Sequence, residues 1–177
     1  MRSVLTLVCL LLVLSASVAG AESWTTQLLV KGNPDYIDVV TTATDKVTCW
    51  NWEYALTPKN GATGINGLTI TLGVSEAALV SNITGPLNWL SGVVDDKVAW
   101  RTLSFSPFIY NPLNAGSTFT FGFDHPWGPK ADVVASAQDT YGYSGPVSGP
   151  VVPEPMGIMV VIMGLGSVAG FRRLRGK

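Results

Sequence analysis

The sequence predicts an all-β, antiparallel fold, and three observations predict it. Apolar and polar residues alternate with period two in CWNWEYAL (49–56), LTITLGV (68–74) and TFTFGFD (118–124), the signature of strands with one face buried and one solvated. Turn-forming clusters, KGNPD, PKNGATG and NPLNAG, separate the runs at short intervals. No segment between residues 22 and 140 sustains a 3.6-residue period; only SEAALV, residues 75–80, suits a helical turn. Short strands at such spacing pack as two layers, so the expectation is an immunoglobulin-like antiparallel β-sandwich.

The chain has 177 residues, room for one domain of ordinary size plus accessory segments. The first element is not part of that domain. Arg2 precedes the apolar run 4–14 (VLTLVCLLLVL), and small residues follow in SASVAGAES. This is the order of a secretory signal peptide, because a run of about ten apolar residues is too short to span roughly 30 Å of hydrocarbon. The leader is assigned to residues 1–21, with cleavage after Ala19 or Ala21. Removal of Cys9 with the leader leaves Cys49 alone. Such a chain forms no intrachain disulfide, and Cys49 is read as a half-buried structural cysteine.

Residues 22–140 form the sandwich domain. Besides the three alternating runs, strands are expected at 24–31, 35–42, 97–105 and 132–138. About 120 residues suffice for a core burying roughly two-thirds of the chain's surface. In CWNWEYAL, Trp50, Trp52, Tyr54 and Leu56 share a face, and core packing is the expectation for them. Residues 141–152, YGYSGPVSGPVV, are rich in glycine, proline and serine and carry a small SGPV repeat. They read as a tether.

The final element, 153–177, opens with Pro153-Glu154-Pro155. Sixteen uncharged residues follow, 156–171, and then Arg172, Arg173, Arg175 and Lys177. At about 1.5 Å per residue the apolar run makes about 24 Å of helix, enough to cross a locally thinned bilayer. The cations after it form a stop signal that keeps the tail cytoplasmic, as Arg2 keeps the other end. Two prolines around Glu154 favour an extended chain and block upward continuation of the helix, leaving the triplet open at the membrane surface.

This order of triplet, apolar helix and arginine cluster resembles the PEP-CTERM sorting signal of Gram-negative bacteria, which exosortase, a membrane-embedded cysteine transpeptidase, reads. Met156 stands where that family more often has a small residue. The resemblance implies Pro153, Glu154 and Pro155 as recognition residues. It also implies export by the secretion machinery, transient anchoring in the inner membrane by the single C-terminal helix, and delivery to the cell surface or an exopolysaccharide matrix. Ala115-Gly116-Ser117-Thr118-Phe119 is similar to a late strand that recurs in ectodomains of the same family.

The body offers little catalytic chemistry. His125 is the only histidine, which excludes a conventional zinc site, and in Asp124-His125-Pro126-Trp127 it reads as a solvated loop residue. No GxSxG elbow, P-loop or EF-hand spacing is present. Asp95 and Asp96 are adjacent, so metal binding by both requires a loop there. No cofactor and no metal are expected. Residues 22–152 carry eleven acidic and six basic side chains, net −5, which argues against nucleic acid as a partner. Aromatic rings stack on sugars, and Trp127 in its proline-rich loop and Trp89 beside Asn88 are the candidate sugar contacts. The expectation is a non-enzymatic surface or matrix protein. Alternatives are a lectin-like, polysaccharide-binding module and a permanently membrane-anchored periplasmic protein.

Overall fold

The computed structural model describes residues 20–30, 32–103, 110–139 and 142–150. The leader up to residue 19, the triplet Pro153, Glu154 and Pro155, the apolar run 156–171 and the cations Arg172, Arg173, Arg175 and Lys177 lie outside the described residues. Within them no helix is long and apolar enough to cross a membrane.

The fold is all-β and antiparallel. Ten strands run β1 (Ala21–Leu29), β2 (Tyr36–Asp45), β3 (Trp50–Lys59), β4 (Gly67–Thr71), β5 (Ser81–Thr84), β6 (Trp89–Val94), β7 (Lys97–Thr102), β8 (Phe119–His125), β9 (Pro129–Gln138) and β10 (Tyr143–Pro150). A single helical turn, α1 (Val74–Ala77), falls inside the segment SEAALV and the residue before it. All ten strands belong to one sheet in the order β5-β8-β3-β2-β1-β10-β9-β4-β7-β6.

That order corrects the immunoglobulin-like expectation. In an immunoglobulin arrangement the third strand leaves for the opposite sheet; here β3 stays beside β2 through ten consecutive register pairs, Tyr36 with Lys59 to Asp45 with Trp50. The two five-strand halves do face each other across a core as sandwich layers do. They are nevertheless joined, since β1 meets β10 at one register pair, Leu29 with Ser144, so the sheet bends there and nearly closes into a barrel.

The bend depends on small residues. A Cβ on Gly145 would lie 2.6 Å from the Gln27 carbonyl oxygen, a backbone atom that no rotamer change moves. Close passage of β10 over β1 therefore requires glycine. Over the described residues 142–150, this corrects the tether expected at 141–152. Tyr143 and Val147 point inward and are buried, and β10 pairs with β9 from Tyr143 with Ala137 to Pro150 with Pro129. Pro146 and Pro150, which cannot donate, fall beyond the single register pair with β1.

Alternation places the core as the sequence predicts. Trp52, Tyr54 and Leu56 of β3, Phe121 and Phe123 of β8, Leu68 and Ile70 of β4, and Val98 and Trp100 of β7 are buried. Ring contacts knit the halves together: Trp100 meets Phe121 edge-on at 5.7 Å and stacks with Phe123 at 6.4 Å. Tyr54 donates its hydroxyl to the Ser148 carbonyl at 3.1 Å, and its burial holds the phenol protonated far above its ordinary range.

Between the edges β5 and β6, backbone pairing stops and side chains take over. The Trp89 ring of β6 contacts Phe119 and Phe121 of β8 at 6.1 and 5.0 Å. The Trp100 indole donates to the Thr84 carbonyl of β5 at 2.7 Å.

Candidate functional site

Two regions concentrate polar chemistry, one at an end of the barrel and one on its outer face. At the end, His125 is the last residue of β8 and faces inward, paired in register with Trp50. It is fully buried, correcting the expectation of a solvated loop histidine. Its Nδ1 lies 3.2 Å from the backbone N–H of Trp127, which donates to it, and its Nε2 lies 3.2 Å from the Glu76 carbonyl. A carbonyl only accepts, so Nε2 carries the proton and the ring is neutral. Burial holds the imidazole pKa below its ordinary value, against the opposing pull of the Glu76 carbonyl and the Glu76 charge. With both nitrogens occupied, His125 joins α1 to the 126–128 turn and has no free lone pair for base catalysis.

Asp124, one residue earlier, faces outward yet is buried, because three donors cover it. Oδ1 accepts from Lys46 Nζ at 3.2 Å and Asn51 Nδ2 at 2.9 Å, and Oδ2 from Asn82 Nδ2 at 2.9 Å. Burial alone would raise its pKa; the three donors and the Lys46 charge together outweigh that and hold it below the usual value. The carboxylate ties the β2–β3 turn and the irregular β5 to β8 and is spent on structure. Asp95 and Asp96 form the two-residue β6–β7 turn, Asp95 at φ 54, and Asp96 pairs with Lys97 at 3.3 Å. Among the described residues no three His, Cys, Asp or Glu side chains gather as a metal site would need.

The two tryptophans read as sugar contacts separate. Trp89 is 8% exposed and donates its indole N–H to the Asn111 carbonyl at 2.8 Å. It is a core residue, and the correction has a simple cause: β6 is a strand whose first residue turns inward to fill the gap toward β8. Trp127 is half-buried, its ring 5.4 Å from His125 and inclined at 67°. Beside it a Cβ on Gly128 would fall within 2.7 Å of the Trp50 ring, so this turn lies flat on Trp50 and caps the barrel end. Cys49, in the β2–β3 turn, is half-buried, as expected, and makes no disulfide among the described residues.

The second region was not legible as a site in the sequence. On the outer face of β9, β4 and β7, register pairs set Ser136 beside Thr69 and Thr69 beside Ala99. The next outward row holds Gln138, Gly67 and Arg101. Small side chains between longer ones leave a cavity of about 170 Å³ lined by these six residues with Leu68 and Trp100. Arg101 is exposed and makes no ion pair with any described residue. The volume is below the roughly 300–1,000 Å³ of enclosed ligand pockets. Alternation predicts that Thr69 and Arg101 face outward; it does not show that β4 lies between β7 and β9, which is what assembles the trough.

Comparison with protein-family models, with curated proteins and with solved structures finds no match to this chain.

Proposed function

We propose that the chain is an exported, non-enzymatic surface or matrix protein, sorted and processed through its C-terminus. The observation that carries this reading is the order Pro153-Glu154-Pro155, sixteen uncharged residues, then Arg172, Arg173, Arg175 and Lys177, opposite a leader-like N-terminus. The secretion machinery moves the chain outward, the apolar segment holds it in the inner membrane, and exosortase acts at the triplet. The β-domain is the cargo, and it lies at the cell surface or in an exopolysaccharide matrix.

The fold supports one refinement. β1 begins at Ala21, and the Gly20 carbonyl accepts from the Asp45 N–H at 3.2 Å. Leader cleavage after Ala19 preserves both, whereas cleavage after Ala21 removes the first residue of β1. This favours cleavage after Ala19, with Gly20 as the first residue of the mature protein. Replacing Pro153, Glu154 and Pro155 together by alanine tests the sorting step: the variant is expected to stay in the membrane fraction at full tail length. Unchanged release of the variant would refute it, and a wild-type chain that itself retains its tail in the membrane fraction would favour a permanently anchored periplasmic protein.

A second reading, a polysaccharide-binding module, is favoured by the outer-face trough, where Thr69, Ser136, Gln138 and Arg101 offer hydroxyl, amide and guanidinium groups to a sugar. Its test is isothermal titration calorimetry of the protein with the native exopolysaccharide, with Arg101→Ala as the control that should abolish the response.

A further inference from the structure

Two short surface pieces, α1 and the turn 126–128, meet at His125. The imidazole donates from Nε2 to the Glu76 carbonyl and accepts at Nδ1 from the Trp127 N–H, each at 3.2 Å. The second of these is the only hydrogen bond that the turn makes among the described residues. Below it the turn lies on Trp50, so close that a Cβ added at Gly128 would fall 2.7 Å from the ring. The Trp127 ring stands edge-on to the imidazole at 5.4 Å. The other piece is also lightly held, since α1 is four residues long and has no side-chain cap.

One added proton reverses the sense of the Trp127 bond. A protonated imidazole donates from both nitrogens, so its Nδ1–H would be aimed at the Trp127 N–H, donor against donor. No acceptor is placed to relieve this. The Glu76 carbonyl already accepts from Nε2 and from the Leu79 N–H at 3.0 Å. The Glu76 carboxylate accepts from the Ser75 hydroxyl at 2.9 Å and folds over Gly73; its charge acts on the ring and favours the cation. Asp124 projects from the opposite face of β8 and is engaged by Lys46, Asn51 and Asn82. Asp96 and Lys97, beside the start of α1, pair with each other. β3 presents Trp50, which does not titrate.

We propose that His125 is an acid-sensitive latch: its protonation releases the 126–128 turn and uncovers Trp50 at the barrel end while the sheet stays paired. The sheet survives because β8 is held to β3 by seven register pairs, of which only Trp50 with His125 touches the latch, so the opening is local. Burial disfavours the charged ring, so the released form takes up the proton first. The turn is therefore held above about pH 6.5 and is let go as pH falls below it. The inference concerns the β-domain alone and does not depend on how the chain is sorted.

His125 is the only histidine, so its ring-proton resonance in the full chain, held in detergent, reports its titration directly. Amide hydrogen exchange, corrected for the intrinsic effect of pH, reports the turn. Between pH 7.5 and 5.0 protection of the Trp127 amide should fall by about tenfold or more, with the midpoint of the ring, while the Tyr54 and Phe121 amides keep theirs. In His125→Gln the protection of Trp127 should not depend on pH. A ring that stays neutral until the sheet unfolds, a Trp127 amide still protected once His125 is protonated, loss of Trp127 and Tyr54 protection together, or an unchanged pH dependence in His125→Gln would each overturn the inference.

Discussion

Trp100 donates its indole N–H to the carbonyl of Thr84 at 2.7 Å, and the bond spans the one interval where neighbouring strands of the sheet, β5 and β6, have no backbone ladder between them. Because the acceptor is a backbone atom, only the indole side can be removed by substitution. Trp100→Phe keeps a ring against Phe121 but leaves the Thr84 carbonyl unpaired and a gap beside it. It should lower unfolding free energy by about 2–3 kcal/mol, read as a fall in the urea midpoint at constant slope.

Gly145 and Gly92 make a matched pair for testing the bend. At Gly145 an added methyl meets the Gln27 carbonyl at 2.6 Å, whereas at Gly92 it meets nothing. Gly145→Ala should cost about 1–3 kcal/mol through overpacking, and Gly92→Ala should be neutral within about 0.5 kcal/mol. Equal effects at the two positions would show that β10 does not pass over β1 as closely as described.

Stability should fall in two steps as pH drops. His125 is held below its ordinary value of 6.5 in the folded state, so the unfolded chain binds the proton first. Its contribution is complete above about 6.5 and is lost between that value and the lower folded one. Asp124 is held below 3.8 when folded; its contribution is present above that value and is lost as pH falls through the folded pKa. Thermal melts carried from pH 8 down through the range below 3.8 should show both steps, and His125→Gln should remove the upper one.

Thr41 is fully buried, and its hydroxyl has no hydrogen-bond partner among the described residues. Thr41→Val keeps the shape and removes the orphaned group. The variant should be more stable by about 1 kcal/mol, measured by chemical denaturation beside the parent.

Much of the barrel was written in its alternation. The runs at 49–56, 68–74 and 118–124 became β3, β4 and β8, and the expected strands at 24–31, 35–42, 97–105 and 132–138 overlap β1, β2, β7 and β9. β10 escaped because glycine and proline dominate its composition, although Tyr143 and Val147 share a parity that marks an inward face. β5 and β6 escaped because four residues, SNIT, and an interrupted WLSGVV carry too little period. Strand order was not legible at all: whether β3 stays beside β2 or crosses over is decided by long-range packing. His125 was misjudged because a strand end capped by a helical turn and a folded-back tryptophan looks, in one dimension, like a loop. The outer trough was hidden for the same reason, its hydroxyls and Arg101 coming from strands far apart in sequence.

The central claim is that both ends of the chain are address labels removed from an exported β-domain. Mass spectrometry of the two termini of the protein recovered from outside the producing cells tests it most directly. The account predicts a first residue of Gly20 and a last residue near Pro155. A single species running from Met1 to Lys177, found in the cytosol, would contradict it.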